Sequence, residues 1–161
     1  MQFLANNFIL IILGDGDIKE ELKELAESLS LADRIIFLPS VPMNELHNYT
    51  TSADLGILPY EKVSLNNYYC LPNKIFEYMT AGLPVVASNF PELKKIIEEE
   101  KIGYVFDETN PDDIAQKIRL VFSDPGKYFQ MKENSLKAVK NKYNWRNEAK
   151  KLIKIYEQVL K

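Results

Sequence analysis

Cysteine, histidine and tryptophan occur once each in this chain of 161 residues, as Cys70, His47 and Trp145. One cysteine excludes an internal disulfide and fits a reducing compartment. One histidine leaves no metal-ligand spacing, so no protein-held metal is expected. His47 shares helical spacing with Asn44, Asn48 and Thr51, opposite Leu46 and Tyr49, and so reads as part of a solvated face. Long hydrophobic runs are missing too. The apolar stretch Phe8 to Leu13 is far too short to cross a bilayer, lacks a basic flank and meets Asp15 and Asp17 at once. Neither a signal peptide nor a transmembrane helix is expected, which suggests a cytoplasmic setting. Net charge is small, at −3. No basic stripe is interleaved with aromatics, so nucleic acid is not an expected partner. The charge is unevenly spread, however: residues 1–126 carry 10 basic and 20 acidic side chains, residues 127–161 carry 10 and 3. A lysine-rich solvated face on two terminal helices explains that basic tail; weak association with an anionic membrane surface is the alternative.

A hydrophobic content of 46% over this length fits one globular domain, residues 1–161. Phe8 to Leu13 reads as a fully buried strand, followed by a Gly14-Asp15-Gly16 turn and a helix with Leu22, Leu25, Ala26 and Leu29 on one side. Further strands are expected at Ile35–Leu38, Leu55–Leu58, Pro84–Ala87 and Gly103–Phe106. Helices are expected at Asn44–Ser52, about Pro91–Glu99 and after Pro111, with a long loop from Pro59 to Leu71. Continuous apolar strands alternating with helices predict an α/β fold, a Rossmann-like doubly wound parallel sheet covered on both faces. From residue 127 the pattern is helical only, broken at Tyr143-Asn144-Trp145. The last helix presents Ala149, Leu152, Tyr156 and Val159, and the terminal helices of 127–161 are expected to pack on the sheet domain.

The densest signal runs from Pro72 to Ser88. Pro72 presets the entrance of a helix, Ile75, Phe76 and Met79 form its apolar face, and Gly82 ends it as a left-handed cap. Asn73, Lys74 and Glu77 share the other face, beside a helix N-terminus suited to anions. That combination fits a reader of phosphates and hydroxyls. The backbone N–H groups of Asn73, Lys74 and Ile75 would meet a diphosphate, Lys74 would add charge, and Glu77 would accept from vicinal hydroxyls. The plainer alternative is an ion pair between Lys74 and Glu77. Gly14 and Gly16 let the first turn close tightly next to a diphosphate, although such turns also occur where nothing binds.

The stretch Pro-Asn-Lys-Ile-Phe-Glu-Tyr-Met-x-Ala-Gly-Leu-Pro-Val-Val is similar to the donor-binding segment of family 4 glycosyltransferases of the GT-B fold. Leu-Gly-Asp-Gly-Asp, Arg-Ile-Ile-Phe-Leu-Pro-Ser-Val-Pro, Ser-Ala-Asp-Leu-Gly-Ile-Leu-Pro-Tyr and the late Tyr-Asn-Trp extend the resemblance, in order, over nearly the whole chain. It implies the C-terminal, donor-binding half of an enzyme that moves a sugar, with retention, from a nucleotide diphosphate donor to a glycan, lipid-linked or small acceptor. No further cofactor is implied. Glu77 would be the second glutamate of the family's E-x7-E pattern and bind ribose, and backbone around Pro39, Ser40 and Val41 would read the base. Tyr69 stands where the family's first glutamate helps hold the sugar. Glu61, Asn66, Asn67, Tyr68 and Tyr69 are the nearby candidates for that role. The resemblance places the family's diphosphate-clamping Arg and Lys upstream of the Phe8–Leu13 strand, before this chain begins. The chain therefore reads as part of an enzyme whose N-terminal acceptor domain belongs to the same polypeptide or a partner subunit, and as inactive alone. Two rival readings are a nucleotide-sugar epimerase half and a non-catalytic nucleotide-binding or receiver-like module. Asp15 and Asp17 fit the latter superficially, but Leu58-Pro59-Tyr60 offers no aspartate to phosphorylate.

Overall fold

A computed structural model describes residues 1–160; Lys161, the end of the basic tail, lies outside the described residues. Five short parallel strands alternate with helices. Strands β1 (Leu10–Leu13) and β2 (Ile35–Leu38) pair in parallel, with Leu10 opposite Ile35 and Leu13 opposite Leu38. Strands β3 (Gly56–Leu58), β4 (Val85–Ser88) and β5 (Gly103–Phe106) form a second parallel sheet with β4 in the middle. The helices are α1 (Lys19–Ser28), α2 (Met43–Thr51), α3 (Leu65–Tyr69), α4 (Asn73–Thr80), α5 (Pro91–Glu100), α6 (Pro111–Phe122), α7 (Pro125–Asn141) and α8 (Trp145–Val159).

The three-stranded sheet holds the core. Successive side chains of β4 point to opposite faces, and all four of its residues are buried. Val85 and Ala87 pack with Leu58, Ile75, Met79, Phe90, Leu93 and Ile97 beneath α4 and α5. Val86 faces the other way, into Phe106, Ala115, Ile118, Val121 and Met131 of β5, α6 and α7. Asn110 caps α6 by accepting from the backbone N–H groups of Asp112 and Asp113, and Asp124 does the same for α7 at Gly126 and Lys127. Each cap is followed by a proline that presets the first helical residue. α7 packs on α4, where the buried Ser135 hydroxyl donates to the Leu83 carbonyl at 2.7 Å.

Four expectations change. The sheet is parallel throughout, but it is divided between β2–β1 and β3–β4–β5, because no backbone ladder joins β1 to β3 among the described residues. Other contacts link the two parts: Leu4 and Phe8, just ahead of β1, share a core cluster with Leu55 and Ile57 at β3, Arg119 of α6 donates to the Phe3 carbonyl at 2.6 Å, and α2 packs on α4. Consequently the run Phe8–Leu13 is not fully buried, and Ile9 and Ile11 are 59% and 52% exposed. Helix α8, whose apolar spacing predicts packing on the sheet domain, has no buried residue. The break at Asn144, whose side chain caps the new helix at Asn147, carries α8 off with Leu152, Tyr156 and Val159 open to solvent. Tyr49, expected inward on α2, is also exposed.

Candidate functional site

The motif region forms α4, with Pro72 as its extended N-cap. Ile75 and Met79 are fully buried, which locks the helix onto the core, while Asn73 and Lys74 lie exposed at its head. Gly82 adopts φ 69°, the left-handed conformation that ends the helix and that glycine takes without strain. Glu77 is half-buried, and among the described residues its carboxylate has neither a hydrogen-bond donor nor an ion-pair partner. The alternative Lys74–Glu77 ion pair is not formed. The carboxylate lies near phenols: burial first, then Glu77, pushes the Tyr78 hydroxyl up to about 12, and burial, Cys70 and Glu77 together raise that of Tyr60. An acid held in this setting is a strong acceptor for hydroxyl groups. At the helix start, the Ile75 N–H, expected to face a diphosphate, bonds back to the Pro72 carbonyl at 3.3 Å, which leaves the Asn73 and Lys74 N–H groups without an acceptor among the described residues.

At the exits of β1 and β2 a second cluster forms. Gly14 has φ 129°, a conformation that side-chain-bearing residues rarely adopt, and its N–H donates to the Leu38 carbonyl at 3.2 Å. Gly16 has neither a positive φ nor any neighbour within 4 Å of a Cβ built there, so the backbone itself does not require glycine at that position. The Asp15 carboxylate bridges the turn to the end of β2. It accepts from Lys19 Nζ at 2.8 Å, and from the Ser40 backbone N–H and hydroxyl at 3.2 and 2.8 Å. Lys19 also donates to the carbonyls of Gly14 and Leu38. The Lys19 and Ser40 hydrogen bonds hold the Asp15 carboxyl down at about 2. Both Ser40 donors are thereby engaged by Asp15, which leaves the Ser40 carbonyl, the acceptor lone pairs of its hydroxyl and the Val41 backbone. Sequence reasoning missed this latch, although the i, i+4 spacing of Asp15 and Lys19 was its signal.

The segment Pro59–Leu71 is not all loop. Ser64 caps α3 by accepting from the Asn67 N–H at 3.1 Å, and its hydroxyl donates to the Asn67 side chain at 2.8 Å. Asn67 is therefore partly committed, while Glu61 and Asn66 are exposed. Tyr68 anchors the segment: its ring packs on Phe90 at 5.2 Å between centroids and lies 4.1 Å from the Lys62 ammonium. Tyr69 stacks edge-on against Tyr68 and is 58% exposed, available to a ligand as a hydroxyl but not as a carboxylate. The buried Ser88 hydroxyl, at the end of β4, donates to the Tyr60 carbonyl at 2.7 Å and to that of Leu58 at 3.3 Å. α2, which starts just after Val41, packs on α4, so the β2 exit and the motif helix flank one region. No hydrogen bond joins the Gly14–Gly16 turn to α4 among the described residues.

Parallel strands alternating with helices define a Rossmann-like α/β domain, in which the head of α4 carries Asn73 and Lys74 and the same helix carries an acid without a partner among the described residues. The chain belongs to the family described as Glycosyl transferases group 1, which it matches over residues 2–138. It is 33% identical over 154 residues to an uncharacterized glycosyltransferase of Methanocaldococcus jannaschii, spanning 94% of this chain and 37% of that protein's length. Among solved structures, Anabaena HepE in complex with UDP-glucose superposes with a TM-score of 0.79 at 18% identity, covering 98% of this chain and 43% of HepE. The C-terminal domain of a group 1 glycosyl transferase from Francisella tularensis gives 0.65 at 18% identity, covering 88% of this chain and 89% of that domain.

Proposed function

We propose that this chain is the donor-binding half of a retaining, family 4-like glycosyltransferase that takes a sugar from a nucleotide diphosphate donor. The carrying observation is Glu77: a half-buried carboxylate without a protein partner among the described residues, one helical turn inside a helix whose Asn73 and Lys74 N–H groups have no acceptor among those residues. Burying an acid unpaired is unfavourable, and two ribose hydroxyls would offset that cost. Asn73, Lys74 and the helix start would take the diphosphate and stabilise it as leaving group; Val41 and the Ser40 carbonyl would face the base. Tyr69, with Asn66 as neighbour, would stand by the sugar. HepE, of the same fold, was crystallised with UDP-glucose, which supports this reading. Neither metal nor further cofactor enters it.

The acceptor would be held by an N-terminal GT-B domain, in the same polypeptide or a partner subunit, with this chain as a single domain opposite it. The described residues include no helix long and apolar enough to cross a membrane; a cytoplasmic enzyme, touching the inner membrane face through its basic tail, accords with that. Calorimetry tests the proposal. One of UDP, GDP and ADP should bind with Kd on the order of 0.1–1 mM, or about 4–5.5 kcal/mol. Pure chain should show no transfer, since an acceptor is not positioned without the opposing domain. Absence of heat for all three at ~5 mM would overturn the donor-site reading.

A further inference from the structure

Glycine within a strand is unfavourable, because it has no side chain to pack and loses the most backbone freedom on folding. Gly56, opposite Val85 in the ladder of β3 with β4, has no positive φ that would require it. What it has is a close neighbour. A Cβ built on Gly56 would stand 2.3, 2.5 and 2.9 Å from Cδ2, Cγ and Cε2 of Tyr78, whereas carbon atoms ordinarily meet at about 3.5–4.0 Å. The Tyr78 ring therefore lies directly on the backbone of β3, in the space that a side chain at position 56 would fill.

Tyr78 belongs to α4 and follows Glu77 in the chain. Its hydroxyl donates to the Ile57 carbonyl at 3.4 Å, so the side chain reaches along β3 from Gly56 to Ile57. Burial first, then the Glu77 charge, then Tyr60, pushes that hydroxyl up to about 12; phenol and carboxylate share one setting. α7 and the turn after it grip the same helix independently. Phe76 packs against Tyr143 with ring centroids 5.5 Å apart, the Leu136 side chain lies 3.2–3.3 Å from a Cβ built on Gly82, and Ser135 donates to the Leu83 carbonyl at 2.7 Å. Ile75 and Met79 are fully buried. α4 is thus fixed against β3 and α7 at once, and a close-packed interior passes a displacement on rather than absorbing it.

We infer that the Gly56–Tyr78 contact seats α4: the missing side chain on β3 sets how closely the motif helix approaches the sheet, which makes Gly56 and Tyr78 positioning residues for Glu77. Neither is assigned a contact with the donor. Both act through where the helix places the carboxylate. Positioning Glu77 for a ligand rests on the donor-site reading, whereas the seating of the helix does not. The distances give the size of the effect. Restoring an ordinary carbon contact at position 56 requires the ring to retreat by at least ~1 Å, and a hydrogen bond of about 2.7–3.2 Å lengthened by that amount is lost. One methyl group on β3 is therefore felt at a carboxylate it never meets.

The chain, Gly56→Ala, Tyr78→Ala and the double variant form a cycle that tests this. Without nucleotide, Gly56→Ala should lower Tm by several degrees, shift the backbone amide NMR signals of Asn73–Thr80, and move the side-chain carboxyl 13C signal of Glu77, assigned with Glu77→Gln. Added to Tyr78→Ala, the same methyl meets open space: it should disturb only amides next to residue 56 and leave Tm equal or higher. In calorimetry with the preferred nucleoside diphosphate, Gly56→Ala should lower affinity roughly 10-fold, and Tyr78→Phe, which keeps the ring, should stay within about 2-fold of the chain. The inference is overturned if Gly56→Ala shifts signals only next to residue 56, if it lowers Tm equally with and without the Tyr78 ring, or if Tm falls while nucleotide affinity is intact. If Gly56→Ala unfolds the chain outright, adding Tyr78→Ala must restore the fold, and failure to do so overturns the inference. If Tyr78→Ala alone does not fold, the α4 and Glu77 signals of Gly56→Ala decide. Those signals are read without nucleotide, so absence of nucleotide binding to the unaltered chain defeats the donor-site reading and leaves the seating of α4 to be judged separately.

Discussion

Replacing Glu77 by Gln changes one oxygen into an amide nitrogen and removes a negative charge from a side chain that no protein group contacts by hydrogen bond or ion pair among the described residues. Nothing in the fold is left unpaired by the change, and Gln has the helix propensity of Glu. Stability should therefore move by no more than about 0.5 kcal/mol, or roughly 1–2 °C in Tm for a domain of this size. Binding should respond quite differently. Hydrogen bonds to a charged acceptor are worth about 1.5–3 kcal/mol, so affinity for the preferred nucleoside diphosphate should fall roughly 10- to 100-fold. A nucleotide without ribose hydroxyls should bind the original protein and the variant almost equally. Calorimetry with both nucleotides, alongside thermal melts, separates the two roles. A Tm lower by several degrees with nucleotide affinity intact would refute the reasoning and make Glu77 a structural residue.

Other perturbations probe the supports of the site. Asp15→Ala removes both acceptor oxygens and should free the Ser40 donors and Lys19; nucleotide selectivity should weaken if Val41 reads the base, as competition among UDP, GDP and ADP would show. The Asp15 carboxyl is held at about 2 against an ordinary 3.8, so its contribution to stability is present above that ordinary value and lost as pH falls through the lower one. The variant should accordingly show a flatter acid limb in melts between those values. Ser88→Ala removes the buried donor to the Tyr60 and Leu58 carbonyls and should cost about 1–2 kcal/mol, lowering Tm by roughly 2–8 °C, with faster exchange in residues 59–64.

The strands and the motif helix were legible because burial imposes a period: β4 and the Ile75/Met79 face read directly from their apolar spacing. Strand adjacency was not legible. The runs that became β1 and β3 look alike as sequence, and nothing in either says whether the other is its neighbour. α3 was hidden because its five residues have no buried side chain to set a period; Ser64 preceding Asn67 was the sole cue. At the candidate site, the placement of Asn73 and Lys74 at the head of α4 and of Glu77 on the same helix was readable. That Ser40's donors are spent on Asp15 was not readable, since their link joins residues 25 positions apart and depends on the pairing of β1 with β2.

Ser88 also governs how the region from Tyr60 to Pro72, proposed above to lie beside the sugar, can vary. Its hydroxyl staples the chain at Tyr60, Pro72 and the buried Ile75 fix it again at the head of α4, and Tyr68 clips the middle to Phe90. Between these three attachments Val63, Leu65 and Tyr69 face solvent. The segment thus behaves as an exchangeable cassette: its exposed tip can be rewritten while the sockets that receive it stay the same, and under the proposed donor reading that would change the sugar accepted.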